Sequence, residues 1–214
     1  KYAMEATPGY FYGGKKISNE MKKLLPDSKV IVVLRDPVQR LFSFYKYKLS
    51  LGHIPSDLSF ESYLDKCKSM PLDEKIKKKN YDYWGMEGGL YANLLQIWNS
   101  TYGDNLKVCF FDDLVSDKIN FTSDICDWLN LNFNEIDSKK MHIENKSMLY
   151  RSKALQKFAI SFDRSLEGLW NFMPFIKKPF SFFYNLFNSK PHNAVLNKSS
   201  KKELEEFYAK DIEK

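Results

Sequence analysis

Val30-Ile31-Val32-Val33-Leu34 sets five β-branched or aliphatic residues in a row. A continuous apolar run of that length predicts a strand buried on both faces, the kind found in parallel α/β sheets. Lys107-Val108-Cys109-Phe110-Phe111 predicts a second, weaker strand. Helix-like segments fall around Pro37–Leu51, Ser59–Lys68, Leu90–Tyr102 and Lys118–Leu129. Ser18 to Leu25 predicts a short helix, with Ser18 as its N-cap and Pro26 as its stop. Strands separated by helices imply crossover connections, hence an α/β fold with a parallel sheet flanked by helices on both faces. Two strands are few for such a sheet, and a further one is expected before Lys1. The last segment, Lys198 to Tyr208, patterns as a charged amphipathic helix that runs on to Lys214 with no cap and no trailing Gly or Pro. The expected organisation is therefore one domain over residues 1–214, incomplete at its N-terminus and at its C-terminus.

Composition narrows the class. With 214 residues, 43% of them hydrophobic, the chain is long enough to bury a core and too apolar for a disordered segment. A net charge of +6 favours anionic partners, but the lysines are scattered and the balance is too mild to single out nucleic acid. Cys67, Cys109 and Cys126 show no CxxC spacing and come with three histidines, which argues against a zinc site and against a disulfide framework. The most apolar stretch, Leu169 to Phe187, is interrupted by Pro174, Lys177, Lys178 and Pro179. It falls short of the roughly 20 apolar residues that cross a bilayer. No signal peptide opens the chain. The expected compartment is the cytoplasm for a prokaryotic source, or the Golgi lumen where an upstream anchor has been lost.

Chemistry concentrates in Val30 to Tyr45, which reads as a strand, a sharp turn and a helix. Asp36 can cap that helix while Pro37 takes its first position, where a missing N–H costs nothing. Arg35 then sits at the carboxyl end of the strand and at the mouth of a helix N-terminus, where anionic ligands bind in open α/β sheets. Its guanidinium is a forked, permanently charged donor for phosphate oxygens. Ser43 lies seven residues after the cap, two turns on and about 10 Å along the axis, on the helix face of Asp36 and Arg40. Read without a ligand, the same residues make an Arg35–Asp36 ion pair and leave Arg40 on the surface.

The string R-D-P-x-x-R-x-x-S-x-Y, Arg35 to Tyr45, resembles the 3′-phosphate-binding motif of the sulfotransferase superfamily. The resemblance implies that Arg35 and Ser43 hold the 3′-phosphate of 3′-phosphoadenosine 5′-phosphosulfate, with no metal required. It also implies a P-loop-type parallel sheet. Glu5-Ala6-Thr7-Pro8-Gly9-Tyr10-Phe11 is similar to a segment that precedes this motif in carbohydrate sulfotransferases, heparan sulfate enzymes among them. Gly89-Leu90-Tyr91-Ala92, Leu95, Trp98 and Tyr102, then Val108 to Leu114, resemble a third family segment. Asn145-Lys146-Ser147 with Arg151-Ser152 resembles the segment before the loop that closes over the donor. The similarity spans roughly Met4 to Ser152.

Departures accompany the match. The family's P-K-(S/T/C)-G-(T/S)-T loop, which holds the 5′-phosphosulfate, has no counterpart here, and it is expected upstream together with a first strand and an acidic base. Ala6 stands where many heparan-type enzymes have lysine, so that charge is absent. Among the residues present, Glu5 is the candidate acceptor-side base, with a plain backbone-bonding role as the alternative. His53 and His142 are further candidate bases. Arg151 is a candidate to close over the 3′-phosphate or else a surface residue. Tyr91 and Trp98 read as core. The expected acceptor is a carbohydrate hydroxyl or amine. The stretch 169–187 packs on the core, lines the acceptor cleft, or rests on a membrane surface as a peripheral contact. Two other classes stay open: a P-loop phosphotransferase, which would need a Walker loop and magnesium ligands, and a non-catalytic module for anionic glycans or membrane surfaces.

Overall fold

A computed structural model describes residues 3–136, 149–166, 168, 184, 187–190 and 194–214. In chain order its helices and strands are α1 (Gly9–Tyr12), α2 (Gly14–Leu24), β1 (Val30–Leu34), α3 (Pro37–Ser50), α4 (Phe60–Ser69), α5 (Leu72–Lys75), α6 (Ala92–Tyr102), β2 (Leu106–Phe110), α7 (Phe111–Ser116), α8 (Lys118–Leu129), β3 (Leu149–Tyr150), α9 (Lys153–Ser165), β4 (Ser189–Lys190) and α10 (Lys198–Ile212). The fold is α/β, rich in helix. The chain divides into two compact units, one of residues 1–40, 87–144 and 202–214, the other of residues 41–86 and 145–201.

In the first unit β1 and β2 pair in parallel, with Val30 opposite Leu106 and Leu34 opposite Phe110. The expectation of a strand buried on both faces is corrected. Ile31 and Val33 are 36% and 47% exposed, and on β2 Val108 and Phe110 are 38% and 55% exposed. The register explains the pattern. Ile31 and Val33 share a face with Lys107 and Cys109, while Val108 and Phe110 share the opposite face with Val32 and Leu34. Leu34 and Cys109 are buried. Coverage is thus staggered, one strand shielded from one side and its neighbour from the other. The second strand also starts and stops one residue earlier than its apolar pattern suggested, because Phe111 already opens α7.

Ser18 is not an N-cap. It lies inside α2, fully buried, with its hydroxyl 3.3 Å from the Lys15 carbonyl and 3.2 Å from Thr101 Oγ1 on α6. A small hydroxyl is what lets these two helices approach and still satisfies its own polarity. Trp98 of α6 is buried and donates from Nε1 to the Phe11 carbonyl at 3.0 Å. Tyr12 donates to the Gly88 carbonyl at 3.0 Å, so the α1 segment is anchored at Phe11 and Tyr12.

In the second unit the core is aromatic. Phe42, Tyr45, Phe60 and Tyr63 are buried, and their rings meet with centroids 5.0 Å apart for Phe42–Phe60 and 5.3 Å for Tyr45–Tyr63. Ser59 caps α4 by accepting from the Ser62 amide at 3.1 Å. The buried apolar residues that α3 contributes to this unit, Leu41, Phe42, Tyr45 and Leu49, fall on one stripe at helical spacing. β3 and β4 form a short antiparallel pair. Cys67, Cys109 and Cys126 are free thiols, all buried. Among the described residues no helix is long and apolar enough to cross a membrane. Asn145-Lys146-Ser147, His142 and nearly all of the stretch 169–187 lie outside the described residues.

Candidate functional site

The parallel register brings the carboxyl ends of β1 and β2 side by side, with Leu34 opposite Phe110. The next residue on each strand is therefore Arg35 and Phe111. The guanidinium carbon of Arg35 lies 5.0 Å from the centre of the Phe111 ring, a cation–π contact that supports the side chain without neutralising it. Arg35 is half-buried. Among the described residues no carboxylate pairs with it. The ion pair with Asp36 is excluded by what Asp36 does instead. Its carboxylate accepts from the Gln39 amide at 2.7 Å and its carbonyl from the Arg40 amide at 2.8 Å, which is the N-cap geometry expected from the sequence. Pro37 follows as the first residue of α3. Arg35 therefore presents, with no carboxylate partner among the described residues, its guanidinium at a strand end, beside a capped helix mouth.

The peptide of Arg35 is held as well. Tyr91 donates from its hydroxyl to the Arg35 carbonyl at 3.2 Å. Burial pushes the Tyr91 hydroxyl well above its ordinary pKa, with the guanidinium of Arg40 opposing, so the group stays a donor at any physiological pH. Tyr91 precedes α6 and offers that helix no side-chain cap. The cap comes from far along the chain. Asp211 of α10 accepts from the Tyr91 amide at 2.6 Å and from the Ala92 amide at 3.0 Å.

Arg40 is not a surface residue. It is half-buried beside Tyr208, whose oxygen it hydrogen-bonds and whose hydroxyl is raised by burial. Tyr208 itself is fully buried. These contacts place Arg40 in the support of the unit, one helical turn behind Arg35.

Ser43 lies in α3, half-buried. Glu5 is exposed and precedes α1. Its carboxylate accepts from the Thr7 hydroxyl, so its first partner is a side chain. Arg151 follows β3 with its side chain exposed, and its amide donates to the Asn188 carbonyl at 2.7 Å. His53 is paired: Nδ1 lies 3.2 Å from Asp82 Oδ1, which also meets Lys48 Nζ at 2.6 Å. Of the sequence candidates, Arg35 thus has a prepared setting, while Glu5 and Arg151 stand on exposed segments. Sequence reasoning missed Phe111 and Asp211, and its reading of Tyr91 as core left out the bond from the Tyr91 hydroxyl to Arg35. The register of the two strands would have found Phe111. A pairing as remote as that of Asp211 with Tyr91 leaves no local trace.

Comparison with known proteins gives concordant results. The family described as "Sulfotransferase family" matches residues 8–135. The mouse heparan sulfate glucosamine 3-O-sulfotransferase 3B1 is 35% identical over 95 residues, covering 44% of this chain and 22% of that protein. Mouse carbohydrate sulfotransferase 15 is 26% identical over 175 residues, covering 77% of this chain and 29% of that protein. The chain thus spans less than a third of the length of these relatives. Among solved structures, a sulfotransferase from Alicyclobacillus acidocaldarius superposes with a TM-score of 0.52 at 22% identity, over 77% of this chain and 61% of the other. That likeness concerns the fold.

Proposed function

Since the chain belongs to the sulfotransferase family, we propose that it supplies the 3′-phosphate half of an enzyme that moves a sulfuryl group from 3′-phosphoadenosine 5′-phosphosulfate to a carbohydrate hydroxyl or amine. The observation that carries the reading is Arg35, a half-buried guanidinium with no carboxylate partner among the described residues, seated on Phe111 beside the capped mouth of α3. A half-buried cation with no counter-ion among its described neighbours attracts an anion more strongly than one in open water, because the local dielectric is lower. A nucleotide phosphate is such an anion, and a planar fork engages it bidentately.

When bound, the nucleotide donor supplies an activated sulfuryl group, and acceleration comes from positioning and charge neutralisation. In this reading Arg35 binds the 3′-phosphate and Ser43 adds a hydroxyl donor to it. Asp36 orients α3 and takes no part in binding. Arg151 is proposed as a second cation for the nucleotide phosphates. Glu5 is proposed to take the proton that the acceptor loses as its oxygen or nitrogen bonds to sulfur and the bond from sulfur to the 5′-phosphate oxygen breaks, releasing adenosine 3′,5′-bisphosphate; its carboxylate stands exposed ahead of α1. The two mouse relatives, one named for heparan sulfate glucosamine and one for carbohydrate, support a carbohydrate acceptor.

The test is calorimetric titration of the intact protein with adenosine 3′,5′-bisphosphate, and in parallel with ATP and magnesium. The expected result is binding of the bisphosphate, lost or weakened at least tenfold in Arg35→Ala and by less in Ser43→Ala, consistent with about 1.5–3 kcal/mol for a charged hydrogen-bonding group. Binding of ATP with magnesium in place of the bisphosphate would overturn the reading in favour of a phosphotransferase.

A further inference from the structure

The last helix, α10, carries three inward residues at i, i+4 and i+7: Leu204, Tyr208 and Asp211. Leu204 and Tyr208 are buried, and Asp211 is half-buried. Each of the last two ends on a residue that flanks Arg35. Asp211 holds the Tyr91 amide at 2.6 Å, and the Tyr91 hydroxyl holds the Arg35 carbonyl at 3.2 Å. Tyr208 hydrogen-bonds Arg40 in the first turn of α3 and closes on Gly89, two residues before Tyr91.

The peptide plane between Arg35 and Asp36 is where the strand ends and the helix begins. Its orientation decides both the direction in which the Arg35 side chain leaves the backbone and the start of the capped turn. Among the described residues no main-chain ladder bond fixes it there, since Arg35 lies past the last paired residue, Leu34. The hydroxyl of Tyr91 supplies that bond, and the carboxylate of Asp211 fixes the residue that carries it. A hydroxyl with these two anchors has one place to point.

We infer that α10 is a positioning element of the anion site, acting on Arg35 through the relay Asp211–Tyr91 and making Tyr91 and Asp211 positioning residues for the 3′-phosphate. The inference rests on the functional reading above. It predicts that a substitution of either residue lowers the selectivity for a 3′-phosphate, beyond any general loss of fold stability.

The experiment measures the affinity of the intact protein for adenosine 3′,5′-bisphosphate and for adenosine 5′-monophosphate, and takes the ratio. Tyr91→Phe removes the one hydroxyl and keeps the ring. The ratio is expected to fall about fivefold, the size of one neutral hydrogen bond. Asp211→Ala is expected to lower it in the same direction, and Asp211→Asn, which keeps an acceptor oxygen, to restore most of it. A fold defect would reduce both affinities alike and leave the ratio where it was. A ratio within twofold of the wild type in both Tyr91→Phe and Asp211→Ala would overturn the inference while the functional reading stands. A wild-type protein with no preference for the bisphosphate would overturn the reading and the inference with it.

Discussion

Gly89 offers the sharpest test of how α10 is seated. A Cβ built on Gly89 would meet three atoms of Tyr208, Cε1 at 2.8 Å and both Cζ and the hydroxyl oxygen at 2.9 Å. Two effects of Gly89→Ala oppose each other. Gly89 does not occupy the left-handed region, so alanine is tolerated by the backbone and restricts the unfolded chain, a gain of about 0.4–1 kcal/mol. Against this, contacts under 3 Å require the Tyr208 ring to move. That ring is fully buried and tied by its oxygen to Arg40. Overpacking of a closed core site costs about 1–3 kcal/mol. The overpacking wins, and the net loss is about 1–2 kcal/mol. For a chain of this length each kcal/mol moves Tm by roughly 2–4 °C, so Tm should fall by about 2–8 °C in calorimetry or far-ultraviolet circular dichroism. Combining Gly89→Ala with Tyr208→Leu, which withdraws the ring, should cost less than the two single changes added together. An unchanged or raised Tm in Gly89→Ala, or strict additivity in the double variant, would refute the seating of Tyr208 on Gly89.

Asp36→Ala removes the cap of α3 and should lower stability by about 1 kcal/mol while leaving affinity for adenosine 3′,5′-bisphosphate nearly untouched, the reverse of Arg35→Ala; an equal loss of affinity in both would show that Asp36 does more than cap. Phe111→Leu withdraws the aromatic face beneath Arg35 and should weaken nucleotide binding about two- to fivefold, from a cation–π contact of about 0.5–1 kcal/mol, with titration calorimetry as the measurement. Tyr45 carries the pH test. Burial, with the Glu61 carboxylate adding to it, pushes its hydroxyl up to about 12. A raised folded pKa gives stability that is complete below pH ~10 and is lost as pH climbs from there towards 12, because the unfolded chain releases its proton first. Tyr45→Phe should cost about 1 kcal/mol at neutral pH, by stranding the Leu58 carbonyl that Tyr45 meets at 2.6 Å. Across pH 10–12 it should flatten the fall in stability seen in denaturant titrations; parallel curves for the two proteins would disprove the assignment.

What the sequence made legible is what short-range physics writes into it. The run Val30–Leu34, the cap Asp36, the proline after it and the helix that follows are all fixed by neighbours within a few residues, and each appears where its pattern placed it. The helices Lys118–Leu129 and Lys198–Ile212 are legible for the same reason, and even the inward residues Leu204, Tyr208 and Asp211 keep helical spacing. Burial on a sheet is different. A run of apolar residues states that a strand can be covered, and only the packing of other elements states which face is covered at which residue, so the exposure of Ile31 and Val33 was not readable. Ser18 misled because a serine ahead of an apolar pattern looks the same whether it caps a helix or lets another helix approach.

The candidate site repeats this division. The motif names Arg35 through residues adjacent to it, but the Arg35 carbonyl is held by Tyr91, 56 positions away, and the Tyr91 amide by Asp211, a further 120 positions on. Neither dependence has a sequence signature, because a hydrogen bond between distant residues constrains each of them only once the fold exists. A local motif can therefore specify which group meets an anion, while the precision with which it does so is assigned by the far end of the chain. On this argument the strand-turn-helix string alone, grafted onto another α/β sheet, should bind phosphate more weakly than it does in its own fold, since it would carry the charge of Arg35 without the relay that aims it.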